Sequence, residues 1–266
     1  MKTIFITGAS AGLGKATAHL FLANGWKVIA TMRNPEKETE LNLLENVTLL
    51  PLDVTNPDLI HETVQKAIAL GPVDVVFNNA GYGLVGALEA CTEKQITDQI
   101  DTNLTGVIRV TQAFIPHFKE KKSGLFITTT SIFGLVTNPL SSVYNATKFA
   151  LEGWSESLSY ELAAFNIGIK TVAPGGIKSN YMNVMQVAGH EDYQPLFNKM
   201  TEVFAKGLLA FTEPEVIAQT VYEAATDGKD QLTYLAGEDA KKLMAQREAE
   251  GAEGYRMAMC NAMHIQ

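Results

Sequence analysis

The sequence predicts an α/β fold: a doubly wound (Rossmann) parallel sheet of about seven strands with helices on both faces. Short apolar runs alternate with longer helical patterns along the 266 residues. The runs are apolar at consecutive positions, as expected of strands that are covered on both faces of a sheet. Right-handed crossovers between such strands produce the doubly wound arrangement.

The first part of the chain alternates strand and helix. Four strands are expected from short runs rich in Ile, Val, Leu and Phe, at 3–7, 27–32, 47–52 and 73–78. Helix-ending signals at Asn24-Gly25 and Gly71-Pro72 predict one helix over 13–23 and a second from Asp58 to about Leu70.

The second part continues the alternation. Further strands are expected at 125–130, 167–173 and 232–236, and further helices at 102–120, 144–165 and 214–226. Two stretches depart from the pattern, a connection rich in Met, Tyr and Phe and a tail after the last strand. We therefore expect one domain over 1–266, with a substrate-loop region at 175–212 and a C-terminal tail at 238–266.

Composition excludes several classes of protein. A net charge of -8 argues against broad nucleic-acid binding, which needs clustered Lys and Arg. The five histidines and two cysteines never fall at metal-ligand spacing, so no metal is expected. No stretch reaches the roughly 20 apolar residues of a membrane span, and the first residues do not resemble a signal peptide. The expected location is the cytoplasm.

A glycine-rich turn follows the first predicted strand. Residues 7–14 read T-G-A-S-A-G-L-G, which spaces Gly8, Gly12 and Gly14 as G-x-x-x-G-x-G. Glycines allow a tight turn and a close approach of the backbone to a pyrophosphate. The N-terminus of the following helix offers unpaired N–H groups and a partial positive charge. The turn indicates a phosphate-containing ligand.

A tyrosine and a lysine lie four residues apart on a predicted helix. Tyr144 and Lys148 therefore share one face. An ammonium within roughly 4–6 Å favours the phenolate, which makes a tyrosine a better proton donor and acceptor at neutral pH. Ser131, at the end of the fifth predicted strand, lies where open α/β sheets bind ligands, although Thr128, Thr129 and Thr130 are equally near.

Together these motifs resemble the short-chain dehydrogenase/reductase family. The resemblance covers about Lys2 to Ala236 and includes the glycine turn, Asn78-Asn79-Ala80-Gly81 and Tyr144-x-x-x-Lys148, in the family's order. The segment Phe149–Gly153 is similar to the steroid- and retinol-active branch.

The resemblance implies roles for individual residues. Catalytic roles fall on Asn103, Ser131, Tyr144 and Lys148. Cofactor contacts fall on Gly8, Ser10, Gly12, Leu13, Gly14, Asp53, Val54, Asn79, Ala80, Gly81, Tyr144, Lys148, Pro174, Gly175, Ile177 and Ser179. Ser179 stands where the family commonly has Thr. From position alone, Asp53 is equally a turn residue, and Asn103 would start a helix.

The residue after the second predicted strand indicates the cofactor. An acid there binds the ribose of NAD, whereas an arginine accommodates the 2′-phosphate of NADP. This chain has Arg33, and Glu36 comes a few residues too late to replace the acid. A guanidinium can hold a phosphate with paired hydrogen bonds. NADP is therefore expected, with NAD as the less favoured alternative.

The expected function is an NADP-dependent interconversion of a ketone or aldehyde and an alcohol. The expected substrate is a small carbonyl compound or alcohol, which is hydrophobic if the apolar side chains near the site point inward. The chain is also expected to form a homodimer or homotetramer. An NAD-preferring dehydrogenase and a catalytically silent NADP-binding regulator stay open as alternatives. Neither the G-x-x-G-x-x-G pattern nor the larger C-terminal domain of sugar-nucleotide epimerases is present.

Overall fold

A computed structural model describes residues 1–178 and 185–265 of the chain. In chain order, its strands are β1 (Thr3–Ile6), β2 (Lys27–Met32), β3 (Val47–Pro51), β4 (Val75–Asn78), β5 (Leu84–Gly86), β6 (Gly124–Thr129), β7 (Ile167–Pro174), β8 (Gln186–Ala188) and β9 (Thr233–Ala236). Seven of them form one parallel sheet in the order β3-β2-β1-β4-β6-β7-β9. The predicted fold class is confirmed. The order reverses between β1 and β4, where open α/β sheets bind ligands beyond the carboxyl ends of the strands.

Helices cover both faces of the sheet. They are α1 (Gly12–Ala23), α2 (Pro57–Ala69), α3 (Glu93–Ile100), α4 (Gly106–Lys121), α5 (Ser142–Ala163), α6 (Gln194–Val203), α7 (Pro214–Thr226) and α8 (Glu238–Met263). On one face, Phe21 of α1 packs edge-on against Trp26 and Tyr222. On the other face, Phe114 of α4 packs edge-on against Phe5, in a cluster that α2 and α5 complete through Val64 and Leu158.

Two helices begin where the sequence prediction did not place them. The N-cap of α2 is Asn56, whose Oδ1 accepts a hydrogen bond from Leu59 N at 3.0 Å, and Asp58 lies in the first turn. The helix expected at 102–120 follows α3, and a π-helical turn at Asp101–Thr105 joins α3 to α4. The mostly polar run of α3 hides its helical period, and the reciprocal hydrogen bonds of Thr92 and Gln95 stabilise its start.

The connection and the tail contain regular structure that the alternation pattern did not predict. Within the connection, β8 pairs with β5 as a separate parallel ribbon, and α6 follows. The expected tail is largely α8, which breaks at Gly251, where φ is +69°. In the part of the chain that the structure describes, no helix is long and apolar enough to cross a bilayer.

Candidate active site

The carboxyl ends of β1 and β4 are joined by a threonine that the sequence prediction did not select. The Oγ1 atom of Thr7 accepts hydrogen bonds from the backbone N–H groups of Asn79 at 2.9 Å and Ala80 at 3.0 Å. In return, Asn79 Nδ2 donates to the carbonyl oxygens of Thr7 at 3.1 Å and Gly8 at 3.2 Å. The glycine turn and the segment 79–81 therefore lie side by side.

The glycine turn is packed too tightly for side chains at two positions. Gly8 has φ +67°, and a Cβ there would lie 2.9 Å from Ala80 Cα. A Cβ on Gly14 would overlap the carbonyl oxygen of Gly8 and lie 2.7 Å from Asn79 Nδ2. The turn is also tied to β2, because Ala9 N donates to Thr31 O at 2.9 Å. Its backbone shape thus depends on glycine at both positions.

The start of α1 fits the phosphates of a dinucleotide. Its N-cap residue, Ala11, makes no side-chain hydrogen bond, and its first turn contains no acidic residue. The first-turn N–H groups therefore have no side-chain acceptor from the N-cap, and no nearby acid in that turn repels an anion. Ser10 and Gly12 are at least partly accessible, whereas Leu13 is buried and anchors the helix in the core. These residues form a cradle that an anionic ligand can fill.

The loop after β2 leaves its arginine available. Arg33 is exposed and follows Thr31 by two residues, which places it next to the glycine turn. Glu36 is also exposed. The buried acid in this loop is Glu38, whose Oε1 accepts hydrogen bonds from the backbone of Leu41 at 3.0 Å and from Lys15 Nζ at 3.1 Å. Glu38 therefore shapes the loop and binds Lys15, whereas Arg33 is an exposed cation of the same loop.

Asp53 and Val54, which follow β3, have different surroundings. Asp53 Oδ1 accepts hydrogen bonds from the backbone N–H of Thr55 at 2.9 Å and from its hydroxyl at 2.7 Å. This is an Asx-type turn that leads into α2, which corresponds to the turn interpretation of Asp53. Val54 is buried, and Gly106 of α4 approaches it so closely that a Cβ on Gly106 would lie 2.9 Å from Val54 Cβ.

Lys148 is buried beside Tyr144 at the carboxyl end of β6. Lys148 Nζ donates a hydrogen bond to Thr129 O at 2.8 Å and lies 5.8 Å from the centroid of the Tyr144 ring. Thr129 Oγ1 in turn donates to Asn79 Oδ1 at 3.3 Å. The lysine is therefore connected through Thr129 and Asn79 to the glycine turn, and the sequence could not single out Thr129 among three consecutive threonines.

Burial and a neighbouring acid shift the pKa of Lys148 in opposite directions. Burial lowers the pKa of Lys148, the charge of Glu152 one helical turn later opposes this shift in part, and the resulting pKa is about 8. Burial raises the pKa of Glu152 itself, against hydroxyl hydrogen bonds from Thr130, Thr171 and Thr233. The pKa of the Lys148 ammonium therefore lies well below that of an ordinary lysine, and Glu152 is a neighbour that sequence spacing alone did not mark as functional.

Ser131 begins the turn that packs against the Lys148 backbone. Its hydroxyl accepts a hydrogen bond from Phe133 N at 3.1 Å, and the residue is almost fully buried. A Cβ on Gly134 would lie 2.8 Å from Lys148 O, so this turn lies directly on α5. Tyr144 packs against the same apolar cluster as Ile132 and Phe133. The structure therefore brings Ser131, Tyr144 and Lys148 to one end of the sheet.

Asn103 lies in the π-helical turn, within a continuous helical run and not at a helix start. Its carboxamide holds the backbone of Tyr82 at both ends: Tyr82 N donates to Oδ1 at 3.1 Å, and Nδ2 donates to Tyr82 O at 2.8 Å. A Cβ on Gly81 would lie 3.1 Å from the same Oδ1. Asn103 thus fixes the path of the chain just after the segment 79–81.

The loop after β7 lies at the same edge of the sheet. Pro174 ends β7, Gly175 N donates to Ala236 O at 3.0 Å, and Ile177 forms a parallel bridge with Thr212. These residues therefore border, from the β7 side, the region beyond the carboxyl ends of the strands, which is called the crevice below. Ser179, the predicted contact to the nicotinamide carboxamide, lies outside the described residues.

Tyr144 packs against an apolar cluster. Its buried members are Ile132, Phe133, Val136, Leu209, Ala240, Leu243 and Tyr255, and Leu135, Tyr144, Phe204, Leu208, Leu235, Met244 and Met259 pack against them. The C-terminal segment, expected to be a tail, supplies a third of these side chains through α8. Residues near the site are therefore mostly apolar apart from the hydroxyls and the lysine.

Known proteins share both the sequence pattern and the fold. The family described as short chain dehydrogenase matches residues 2–188. A 3-ketodihydrosphingosine reductase of Bacteroides thetaiotaomicron is 36% identical over 210 residues, which are 77% of this chain and 76% of the relative. Bovine retinol dehydrogenase 8 is 35% identical over 190 residues, 68% of this chain and 60% of the relative, in keeping with the predicted similarity to the retinol-active branch.

Two solved structures extend the comparison to the whole chain. A short-chain dehydrogenase from Streptomyces avermitilis superposes with a TM-score of 0.85 at 30% identity, covering 97% of this chain and 98% of the other. An alcohol dehydrogenase from the archaeon Thermococcus sibiricus, complexed with 5-hydroxy-NADP, has a TM-score of 0.73 at 25% identity, with 88% and 95% covered.

Proposed function

The chain belongs to the short-chain dehydrogenase family of oxidoreductases, and from this premise we propose that it interconverts a ketone or aldehyde and an alcohol with NADP(H). One observation carries the proposal. The buried ammonium of Lys148 lies 5.8 Å from the centroid of the Tyr144 ring at the carboxyl edge of the sheet, connected through Thr129 and Asn79 to the glycine turn. The pair and the phosphate cradle therefore face one crevice.

Tyr144 is the proposed proton donor and acceptor. The ammonium of Lys148 favours negative charge on the Tyr144 oxygen, so the phenol releases its proton to a substrate oxygen more readily than a free tyrosine would. The Ser131 hydroxyl is proposed to donate a hydrogen bond to the same substrate oxygen and stabilise the charge that develops there. In the direction of alcohol oxidation, Tyr144 takes the proton. The nicotinamide, when bound, supplies or accepts the hydride.

The residues around the crevice fit a dinucleotide. The N–H groups at the start of α1 would hold the pyrophosphate, and Gly8, Gly12 and Gly14 would allow its close approach. Asn79, Ala80 and Gly81 would pass beside the adenosine ribose, and Asp53 and Val54 would hold the adenine. Pro174, Gly175, Ile177 and Ser179 would receive the nicotinamide end. Lys148 is also proposed to bind the nicotinamide ribose, and Asn103 to complete a proton path through Lys148 and water.

The choice of NADP rests on Arg33. Its guanidinium is exposed beside the glycine turn, and Glu38, the buried acid of the loop, is already occupied by Lys15 and the backbone of Leu41. An arginine in this place can hold a 2′-phosphate, and an acid in its place would repel one. The Thermococcus sibiricus enzyme, with its NADP derivative, supports the same choice.

The proposed substrate carries its carbonyl or hydroxyl on an apolar body. Tyr144 packs against an apolar cluster that includes Phe133, Phe204 and Met259, and apolar side chains beside the site favour a ligand that removes apolar surface from water. The names of two relatives, a 3-ketodihydrosphingosine reductase and a retinol dehydrogenase, are consistent with such substrates.

Cellular location and assembly are part of the proposal. We expect one cytoplasmic domain that forms a homodimer or homotetramer through α4 and α5, where Phe149 and Tyr160 are exposed. Sedimentation equilibrium at micromolar concentration tests this expectation, and a monomer would contradict it.

A steady-state screen tests the reaction. Ketones and aldehydes of increasing apolar size are offered with NADPH and with NADH, using wild-type protein, Tyr144→Phe, and Tyr160→Phe as a control on the exposed face of the same helix. Turnover is expected to vanish in Tyr144→Phe while NADPH affinity stays within a few-fold, and Tyr160→Phe is expected to match wild type. Activity retained by Tyr144→Phe contradicts the proton-transfer role, and a wild type that binds NADPH but reduces nothing indicates a silent regulator.

A further inference from the structure

One buried carboxylate near the crevice has no role in the chemistry proposed so far. Asp239, in the first turn of α8, is 3% exposed. Its Oδ2 accepts hydrogen bonds from Gly176 N at 2.8 Å and Ala210 N at 3.0 Å, and its Oδ1 accepts one from Ala240 N at 3.0 Å. A single side chain thus accepts hydrogen bonds from three N–H groups. Gly176 is 63 residues away in sequence, Ala210 is 29 residues away, and Ala240 is the next residue.

The surrounding backbone is fitted closely to this carboxylate. A Cβ on Gly175 would overlap the carboxylate, and a Cβ on Gly237 would lie 2.7 Å from Asp239 Oδ1. Hydrogen bonds of a carboxylate to backbone N–H groups are stronger than those between neutral groups. The loop after β7 therefore rests against Asp239 at a distance that only glycine allows.

The three segments meet where the nicotinamide end of the cofactor is proposed to bind. Gly176 belongs to the loop after β7, and Ala210 ends the segment that returns from α6 toward α7. On its other edge the same loop pairs with Thr212, since Lys178 N donates to Thr212 O at 2.8 Å and Thr212 N donates to Gly176 O at 2.9 Å. Asp239 therefore holds the loop and the returning segment in register with each other.

We propose that Asp239 is a positioning residue that fixes the Gly175–Ile177 loop for the nicotinamide half of the cofactor. The inference rests on the proposed function, because it assigns a role within that cofactor site. In Asp239→Asn an NH2 donor replaces one of the two acceptor oxygens and the negative charge is lost, so the side chain can no longer accept the hydrogen bonds of Gly176, Ala210 and Ala240 together. The loop can then leave the position at which it meets the nicotinamide. The adenosine half binds at the other side of the crevice, beyond β1 and β2, so Asp239 does not act on it.

A purely structural role predicts a different pattern of effects. Asp227 is a useful comparison, because it is another well-covered carboxylate bound to the same sheet, where it accepts a hydrogen bond from Lys170 of β7 at 2.8 Å. Lys170 lies four residues before Pro174, away from the carboxyl edge. Asp227→Asn is therefore expected to lower stability without a selective effect on either half of the cofactor.

Calorimetric titration of the full-length protein separates the two roles. NADPH and 2′,5′-ADP, which carries the adenosine half alone, are titrated into wild type, Asp239→Asn and Asp227→Asn at a temperature where all three are folded. Asp239→Asn is expected to lower the affinity for NADPH at least ten-fold and to leave the affinity for 2′,5′-ADP within two-fold of wild type. Asp227→Asn is expected to leave both affinities unchanged.

The outcomes distinguish the inference from the function on which it rests. Equal weakening of NADPH and 2′,5′-ADP by Asp239→Asn, or no weakening of either, overturns the positioning role. A wild-type protein that binds neither NADPH nor NADH overturns the proposed function, and the inference with it. If Asp239→Asn does not fold, Gly237→Ala presses a methyl group on Asp239 Oδ1 from outside the proposed cofactor contacts, and it must show the same selective loss of NADPH affinity for the inference to stand.

Discussion

The Nζ atom of Lys148 donates a hydrogen bond to the carbonyl oxygen of Thr129 at 2.8 Å. This contact fixes a buried ammonium at the carboxyl end of β6, and Thr129 continues the connection through its hydroxyl to Asn79. A flexible lysine side chain is thereby held in one place next to the Tyr144 ring. Four consequences of this site and of the surrounding fold can be measured.

Arg33→Ala is expected to lower the affinity for NADPH at least ten-fold and the affinity for NADH by less than two-fold. The arginine is the exposed cation next to the glycine turn, and a guanidinium can hold the phosphate that distinguishes the two cofactors. Dissociation constants from fluorescence titration measure the change. Lys37→Ala, which removes another exposed cation of the same loop, serves as the control. Equal losses for the two cofactors would mean that Arg33 does not bind the 2′-phosphate.

Gly14→Ala is expected to lower cofactor affinity more than ten-fold. The added methyl group would overlap Gly8 O and press on Asn79 Nδ2, so the turn must open and the phosphate cradle change shape. Gly153→Ala is the matched control, because a Cβ at Gly153 of α5 meets no atom within 4 Å. That control should bind cofactor normally and gain up to about 1 kcal/mol of stability from the better helix former. Normal cofactor affinity in Gly14→Ala would mean that the glycine turn does not contact the cofactor.

Glu152→Gln is expected to move the alkaline limb of kcat/KM for NADPH to lower pH. Burial lowers the pKa of Lys148, and the charge of Glu152 opposes that shift in part, so that the pKa is about 8. Without that charge the ammonium deprotonates at a lower pH, and the support it gives to Tyr144 is lost earlier. The free enzyme determines this limb. Glu156→Gln, an exposed acid one turn further along α5, should leave the profile unchanged; an identical profile for both variants would rule out Glu152 as the tuning charge.

Asp227→Asn is expected to lower the free energy of unfolding by about 3 kcal/mol at pH 7, because the buried ammonium of Lys170 loses its anionic partner and keeps only the hydroxyl of Tyr234. Burial alone would raise the pKa of Asp227, but hydrogen bonds from Lys170 and Tyr234 lower it far below its ordinary value of 3.8. A carboxyl with a lowered pKa stabilises the fold above its ordinary pKa and loses this contribution as the pH falls below it. Urea unfolding should therefore show a difference between wild type and variant that shrinks below about pH 4. A difference that does not depend on pH would contradict the ion pair.

Much of the site could be predicted because its residues stand at strand ends or at helical spacing. Gly8, Tyr144 and Lys148 belong to motifs that are local in sequence, and the order of the strands then brings the motifs together. The start of the third helix was predicted wrongly, because Thr92 caps a first segment whose polar residues lack a clear apolar period. The ribbon of β5 and β8 was not predicted, because its strands have three residues each and pair across about 100 positions.

The sequence by itself determined the parallel sheet, the glycine turn and the position of Tyr144 and Lys148 on one face of a helix, because apolar runs, glycines and helical spacing act over a few neighbouring residues. The tertiary structure alone decided which of three threonines accepts the hydrogen bond of Lys148 and which side chain binds Glu38. It also decided that Asp239 accepts hydrogen bonds from the N–H groups of Gly176 and Ala210. Those contacts join residues that are 19 to 63 positions apart. Their partners are set by the strand order and by the space that glycines leave, which no local pattern records.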